Sequence, residues 1–209
     1  TTGTDAAGVY HNAVVAWDLF GPGPEDYQTL GAPGHRPNAQ TTGEGYRVEK
    51  IILETRPGFH LTGNLYLPAT PPPWPAVLVP CGHSHDGKAV GQYQLISRLL
   101  ARHGMAALCY DPIGQGERYQ ILDLAKEHAA FEDAPHVATP HPRVKLMCTT
   151  EHTLTAISSA LIGSNAAQFR IWDGMRVIDY LQSRKDIRAD KIGCTGNSGG
   201  GTVSLRPLR

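Results

Sequence analysis

Gly196-Asn197-Ser198-Gly199-Gly200 sets a hydroxyl among small residues, directly after the run Lys191-Ile192-Gly193-Cys194-Thr195. Gly-x-Ser-x-Gly in that position suits a strand that turns abruptly into a helix, with the serine strained at the apex. Gly196 and Gly200 leave room for the turn, and Gly199 and Gly201 let the following helix pack close to the strand. The chemistry open to Ser198 is nucleophilic attack on an acyl carbonyl, with N–H groups at the helix start holding the developing oxyanion. The same letters also suit a glycine-rich turn around an ordinary serine. The strand before and the helix-compatible start after favour the nucleophile.

The elements that must position this serine follow from the hydrophobic pattern. Residues 1–45 are rich in Gly, Pro, Thr and Asn and read as an irregular N-terminal arm, with a short helix near 10–19. A core spanning 46–209 follows. Val48 to Thr55 and Phe59 to Leu67 flank Arg56-Pro57-Gly58 and make a hairpin. Ala76-Val77-Leu78-Val79 and Met105 to Tyr110 are apolar runs of strands covered on both faces. Between them the spacing predicts a helix over 90–103, with Leu95, Leu99 and Leu100 inward and Gly104 as C-cap. Strand, helix and strand at this spacing form a parallel unit with a right-handed crossover. Residues 119–150, with His128, His136, His141 and three prolines, read as an insertion over the carboxyl edge of the sheet. Helices are expected around 151–162 and 168–184, the second burying Ile171, Met175, Ile178 and Leu181. The expected class is therefore α/β.

Bulk properties narrow the partners. Lys+Arg and Asp+Glu are both 19 in 209 residues, so the formal charge is zero and no basic excess favours nucleic acid or an anionic membrane. No apolar run approaches the length of a bilayer span. The four cysteines, Cys81, Cys109, Cys148 and Cys194, form no Cys-x-x-Cys pair and read as reduced thiols, three of them in or after buried strands. His83-Ser84-His85-Asp86 could face a metal, yet the further histidine of the usual hydrolase pattern is missing, so no metal and no cofactor is expected. The chain opens on Thr1 without methionine, which fits either a removed leader or a trimmed start and fixes no compartment.

A hairpin, a parallel βαβ unit, a long helix and Gly-Asn-Ser-Gly-Gly together resemble the α/β-hydrolase superfamily. Four segments are similar to acetyl xylan esterases and dienelactone hydrolase-like esterases. They are Arg56 through Pro68, Val79-Pro80-Cys81-Gly82-His83, Tyr110 through Arg118, and Asp173 through Leu181. The resemblance implies a sheet with an antiparallel hairpin followed by parallel strands, flanked by helices. It implies oxyanion donors from the backbone of Gly199 and of His83, although Cys81-Gly82-His83 departs from the His-Gly that relatives often carry. It also places Asp111 at the opening of a glycine-rich turn, which the side chain would brace.

The superfamily's triad runs Ser, then Asp or Glu, then His, but none of the residues after Ser198 is Asp, Glu or His. Pro207 would interrupt the helix behind the turn. The chain is thus expected to be the N-terminal part of a longer hydrolase, lacking the usual C-terminal strands. The strand at 191–195 would then be an edge that a homo-oligomer could cover. A makeshift Ser198–His85–Asp111 relay is one way to rebuild a base. Loop histidines near the pocket, or a partner chain completing the site, are the others. The resulting expectation is a serine carboxylester hydrolase for small acetyl or short-acyl esters, including those of carbohydrate. Its rivals are an inactive scaffold without the triad Asp and His, and a peptidase or thioesterase of the same fold.

Overall fold

Alternating apolar residues decide which faces the strands cover. A computed structural model describes residues 9–10, 40–121 and 146–204. Its elements are β1 (Val9–Tyr10), β2 (Gln40–Gly43), β3 (Tyr46–Arg56), β4 (Phe59–Pro68), β5 (Trp74–Pro80), α1 (Gly91–Arg102), β6 (Ala106–Tyr110), α2 (Cys148–Leu161), α3 (Ala166–Ser183), β7 (Ile187–Cys194) and α4 (Gly199–Ser204). The sheet runs β1-β3-β4-β6-β5-β7, with β2 also paired to β3. β3, β4 and β6 are antiparallel neighbours, whereas β6–β5 and β5–β7 are parallel. β7 pairs only with β5 among the described residues, so it forms the sheet edge.

Side chains one apart along a strand enter different cores, as a period of two requires. Ala106, Leu108 and Tyr110 of β6 join Ala76 and Leu78 of β5 and Val177, Tyr180 and Leu181 of α3 in one cluster. Ala107 and Cys109 join Val79, Cys81, Tyr93 and Ala101 in the other. α1 therefore covers one face and α3 the opposite one.

Three sequence expectations shift. The arm 1–45 contributes two paired segments, β1 and the polar β2, both antiparallel to β3; the helix expected near 10–19 lies outside the described residues. In α1 the inward residues are Tyr93, Ser97 and Ala101, while Leu95 is 53% and Leu99 41% exposed. Ser97 and Ala101 are small and Tyr93 fills the space at the N-terminal end of the contact, which turns Leu95 and Leu99 outward; Leu100 packs partly inward. In α3 the buried positions are Asp173, Gly174, Val177, Tyr180 and Leu181, and Met175 is exposed. A buried carboxylate can hold that stripe because Arg118 Nη1 donates to Asp173 Oδ2 at 2.7 Å.

Gly104 ends α1 with φ +81°. The Gly104 and Met105 N–H groups donate to Ala101 and Leu100 carbonyls at 3.1 and 3.0 Å, closing the helix end. α2 begins at Cys148, inside the expected insertion; of 119–150, only 119–121 and 146–150 are described. All four cysteines are free: Cys81, Cys109 and Cys148 are buried and Cys194 is partly so. No described helix is long and apolar enough to cross a membrane.

Candidate active site

Strand pairing carries β7 up to the turn. Thr195 N–H donates to the Leu78 carbonyl at 2.9 Å, the last tie to β5. Ser198 then takes φ +53°, and no other described residue except glycine has a positive φ. That left-handed conformation costs an L-residue free energy and marks a position fixed by its surroundings. α4 starts at the next residue, and Ser198 is exposed.

The surroundings are backbone. A Cβ on Gly200 would lie 2.1 Å from the Pro80 carbonyl oxygen, and one on Gly196 would lie 2.5 Å from Gly200 C. Neither space admits a side chain, so the turn sits directly against the end of β5. Gly201 is similarly close to Gly196, at 3.1 Å from its carbonyl oxygen. Gly199 differs from expectation. Its Cβ position faces His83 Nδ1 and Cε1 at 3.5 Å and Arg170 Nη1 at 3.4 Å, so side chains, and not the strand, are its neighbours.

The loop after β5 meets the turn from the other side. A Cβ on Gly82 would lie 2.5 Å from the Asn197 carbonyl oxygen and 3.2 Å from Ser198 Cβ. The Gly82 N–H is taken, donating to Tyr93 Oη at 2.7 Å. The next N–H, that of His83, meets no acceptor among the described residues. The structure thus brings His83, Gly199 and Ser198 together.

His85 and Asp111 are held elsewhere. His85 Nδ1 lies 2.8 Å from Tyr119 Oη. Asp111, fully buried, accepts from Thr62 Oγ1 and the Lys88 N–H, both at 2.8 Å, from the Glu117 N–H, and from Lys88 Nζ. Lys88 Nζ also donates to Glu117 Oε2 at 2.6 Å. Asp111 therefore ties the 3-10 turns Gly87–Ala89 and Gly116–Arg118 to β4. No hydrogen bond joins His85 to Asp111, or either to Ser198, among the described residues. Nor do three His, Cys, Asp or Glu side chains gather there as a metal would need.

Two residues at the site carry no sequence signal of their own. His152 of α2, buried, lies beside His83 with ring centroids 5.0 Å apart and the rings tilted by 51°. Arg170 lies in the first turns of α3. Burial, the Arg170 charge and His83 push His152 down to about 4, and burial with Arg170 also lowers His83. Both imidazoles are therefore neutral at pH 7. Only the folded chain brings the loop after β5, α2 and α3 to one sheet edge.

No protein-family model matches the chain, and no curated protein does either. Solved structures do. A candidate acetyl xylan esterase from Bacteroides fragilis superposes with TM-score 0.57 at 19% identity, covering 79% of this chain and 42% of its own. The methylesterase BT1017 gives 0.55 at 27%, covering 80% and 30%. A dienelactone hydrolase-like promiscuous phosphotriesterase from metagenomic libraries gives 0.50 at 15%, covering 78% and 54%. The chain spans roughly a third to a half of these neighbours. These likenesses show the fold: the chain has the α/β-hydrolase fold of acetyl xylan esterases and dienelactone hydrolase-like esterases.

Proposed function

We propose that the chain is a serine ester hydrolase of small acetyl or short-acyl esters, with Ser198 as nucleophile. The observation that carries this is the left-handed φ of an exposed serine between strand and helix, a strained placement that ordinary turns give to glycine. Ser198 Oγ attacks the acyl carbon, and the oxyanion falls to the free N–H groups of Gly199 and His83. The alcohol departs with a proton, and water releases the acyl group from Ser198. The esterase names of the solved neighbours support the ester as substrate.

A specific observation favours a second reading, a scaffold impaired in turnover. The serine's proton needs a base, and the imidazole standing at the turn is that of His83, with no carboxylate bonded to orient it among the described residues. A fluorophosphonate probe separates the two, since labelling needs an activated oxygen. Labelling of wild type and its loss in Ser198→Ala support the hydrolase. An unlabelled Ser198, with p-nitrophenyl acetate cleaved equally by both proteins, supports the scaffold.

A further inference from the structure

We infer that Gln115 is a positioning residue for ester hydrolysis: its side-chain amide fixes the peptide plane that presents the His83 N–H to the oxyanion. The role in turnover rests on the esterase reading; the fixed peptide does not.

Gln115 is fully buried in the turn after β6. Its Nε2 donates to the Gly82 carbonyl oxygen at 2.8 Å. A carbonyl oxygen only accepts, so the NH2 end of the amide is the end that faces it. The Gly82 carbonyl and the His83 N–H belong to one peptide unit, which is trans. In a planar trans peptide the C=O and N–H point to opposite sides, so holding the oxygen toward Gln115 sends the His83 N–H away from it. The preceding peptide is held as well, because the Gly82 N–H donates to Tyr93 Oη at 2.7 Å. With both peptides of Gly82 tied, neither plane turns without breaking a buried hydrogen bond. The loop so held touches the nucleophile turn, since a Cβ on Gly82 would lie 3.2 Å from Ser198 Cβ. Donation to the carbonyl also polarises the peptide and strengthens its N–H as a donor.

Gln115 itself stands on a fixed support. The Gly116 N–H donates to the His85 carbonyl and the Arg118 N–H to the Gln115 carbonyl, both at 3.0 Å. The Glu117 N–H donates to Asp111 Oδ2 at 3.3 Å. Gly116 takes φ +59°, and a Cβ there would lie 2.3 Å from Asp111 Oδ1. The turn after β6 therefore grips the loop after β5 twice, through the Gly116 N–H and through the Gln115 side chain. An oxyanion exists only once the acyl carbon has been attacked, so a misdirected His83 N–H penalises the transition state more than the bound ester.

NMR and kinetics test this together. In wild type, a scalar coupling across the hydrogen bond should link Gln115 Nε2 to the Gly82 carbonyl carbon. Gln115→Met removes the donor; kcat for p-nitrophenyl acetate should fall about tenfold to a hundredfold with KM within about twofold, and the His83 amide nitrogen signal should move. Gln115→Glu keeps the length but donates only while its carboxyl is protonated. Its kcat relative to wild type should therefore fall as pH rises, which a space-filling role would not produce. A missing coupling in wild type overturns the fixed peptide. An unchanged kcat in Gln115→Met, a loss confined to KM, or a Gln115→Glu ratio flat in pH overturns the positioning role. If Ser198→Ala cleaves the ester as fast as wild type, the esterase reading fails, and the coupling alone decides the fixed peptide.

Discussion

Replacing Ser198 by glycine should make this protein more stable, although glycine normally weakens a fold. The φ of +53° puts Ser198 where an L-side chain costs roughly 1–2 kcal/mol relative to right-handed backbone. Glycine does not carry that cost, but it enlarges the unfolded ensemble, which takes back about 0.4–1 kcal/mol. The balance is a gain of about 0.5–1 kcal/mol. Ser198 Oγ makes no hydrogen bond among the described residues, so Ser198→Ala keeps the strain and changes stability by less than about 0.5 kcal/mol. For a domain of this length the glycine variant should melt about 1–4 °C above both wild type and Ser198→Ala.

Differential scanning calorimetry on the three proteins reads this out. Ser158→Gly supplies the control with the opposite sign, because Ser158 is exposed in the right-handed helix α2, where glycine costs about 0.5 kcal/mol. A Ser198→Gly protein that melts below both wild type and Ser198→Ala would refute the strained turn. The hydrolase reading would then lose its main structural support.

Three other perturbations probe the parts that hold the turn. Gly200→Ala drives a methyl to 2.1 Å from the Pro80 carbonyl oxygen, so urea unfolding should show a loss of about 3 kcal/mol, together with lost fluorophosphonate labelling. Lys88→Met removes the cation between two buried carboxylates, Asp111 and Glu117, and should lower the unfolding free energy by about 3–5 kcal/mol. His152 has a folded value near 4 against an ordinary 6.5, so its protonation favours the unfolded chain. Its contribution is complete above pH 6.5 and declines as pH falls toward 4, by up to about 3 kcal/mol; His152→Gln should flatten unfolding free energy in that window.

How legible this was in the sequence depended on whether a residue's place is set locally. The hairpin, the buried strands β5 and β6 and the turn at Ser198 all follow from period-two alternation and glycine spacing. Helix faces did not. Leucines at 95 and 99 suggested an inward stripe, but contact with the sheet favoured Tyr93, Ser97 and Ala101, whose size sets the helix–sheet distance. Asp173 faces inward because of Arg118, a partner 55 residues away that no helical period reveals. β2 is polar, and its pairing with β3 depends on the neighbouring hairpin instead of on its own composition. His152 and Arg170 reach the site from separate helices, so neither belonged to a motif.

The acids on this sheet edge explain why a relay is not assembled from nearby residues. Asp111 holds Lys88 and two backbone N–H groups, Glu117 shares Lys88, Asp173 holds Arg118, and Glu151 binds the chain at 120–121. Turning any of them toward an imidazole would strand a buried cation or leave backbone donors unpaired, at about 3–5 kcal/mol for a broken ion pair. Asp86 is the freer carboxylate, half-buried and raised by burial, but its neighbour His85 already meets Tyr119. The edge is therefore built so that carboxylates brace the loops, while the His83 imidazole and the Arg170 guanidinium flank Gly199, the residue after the serine. An acidic side chain introduced beside His83 tests whether orientation is what the base lacks. It should raise Ser198-dependent turnover if the base is present but misdirected, and leave it unchanged if His83 serves only through its backbone N–H.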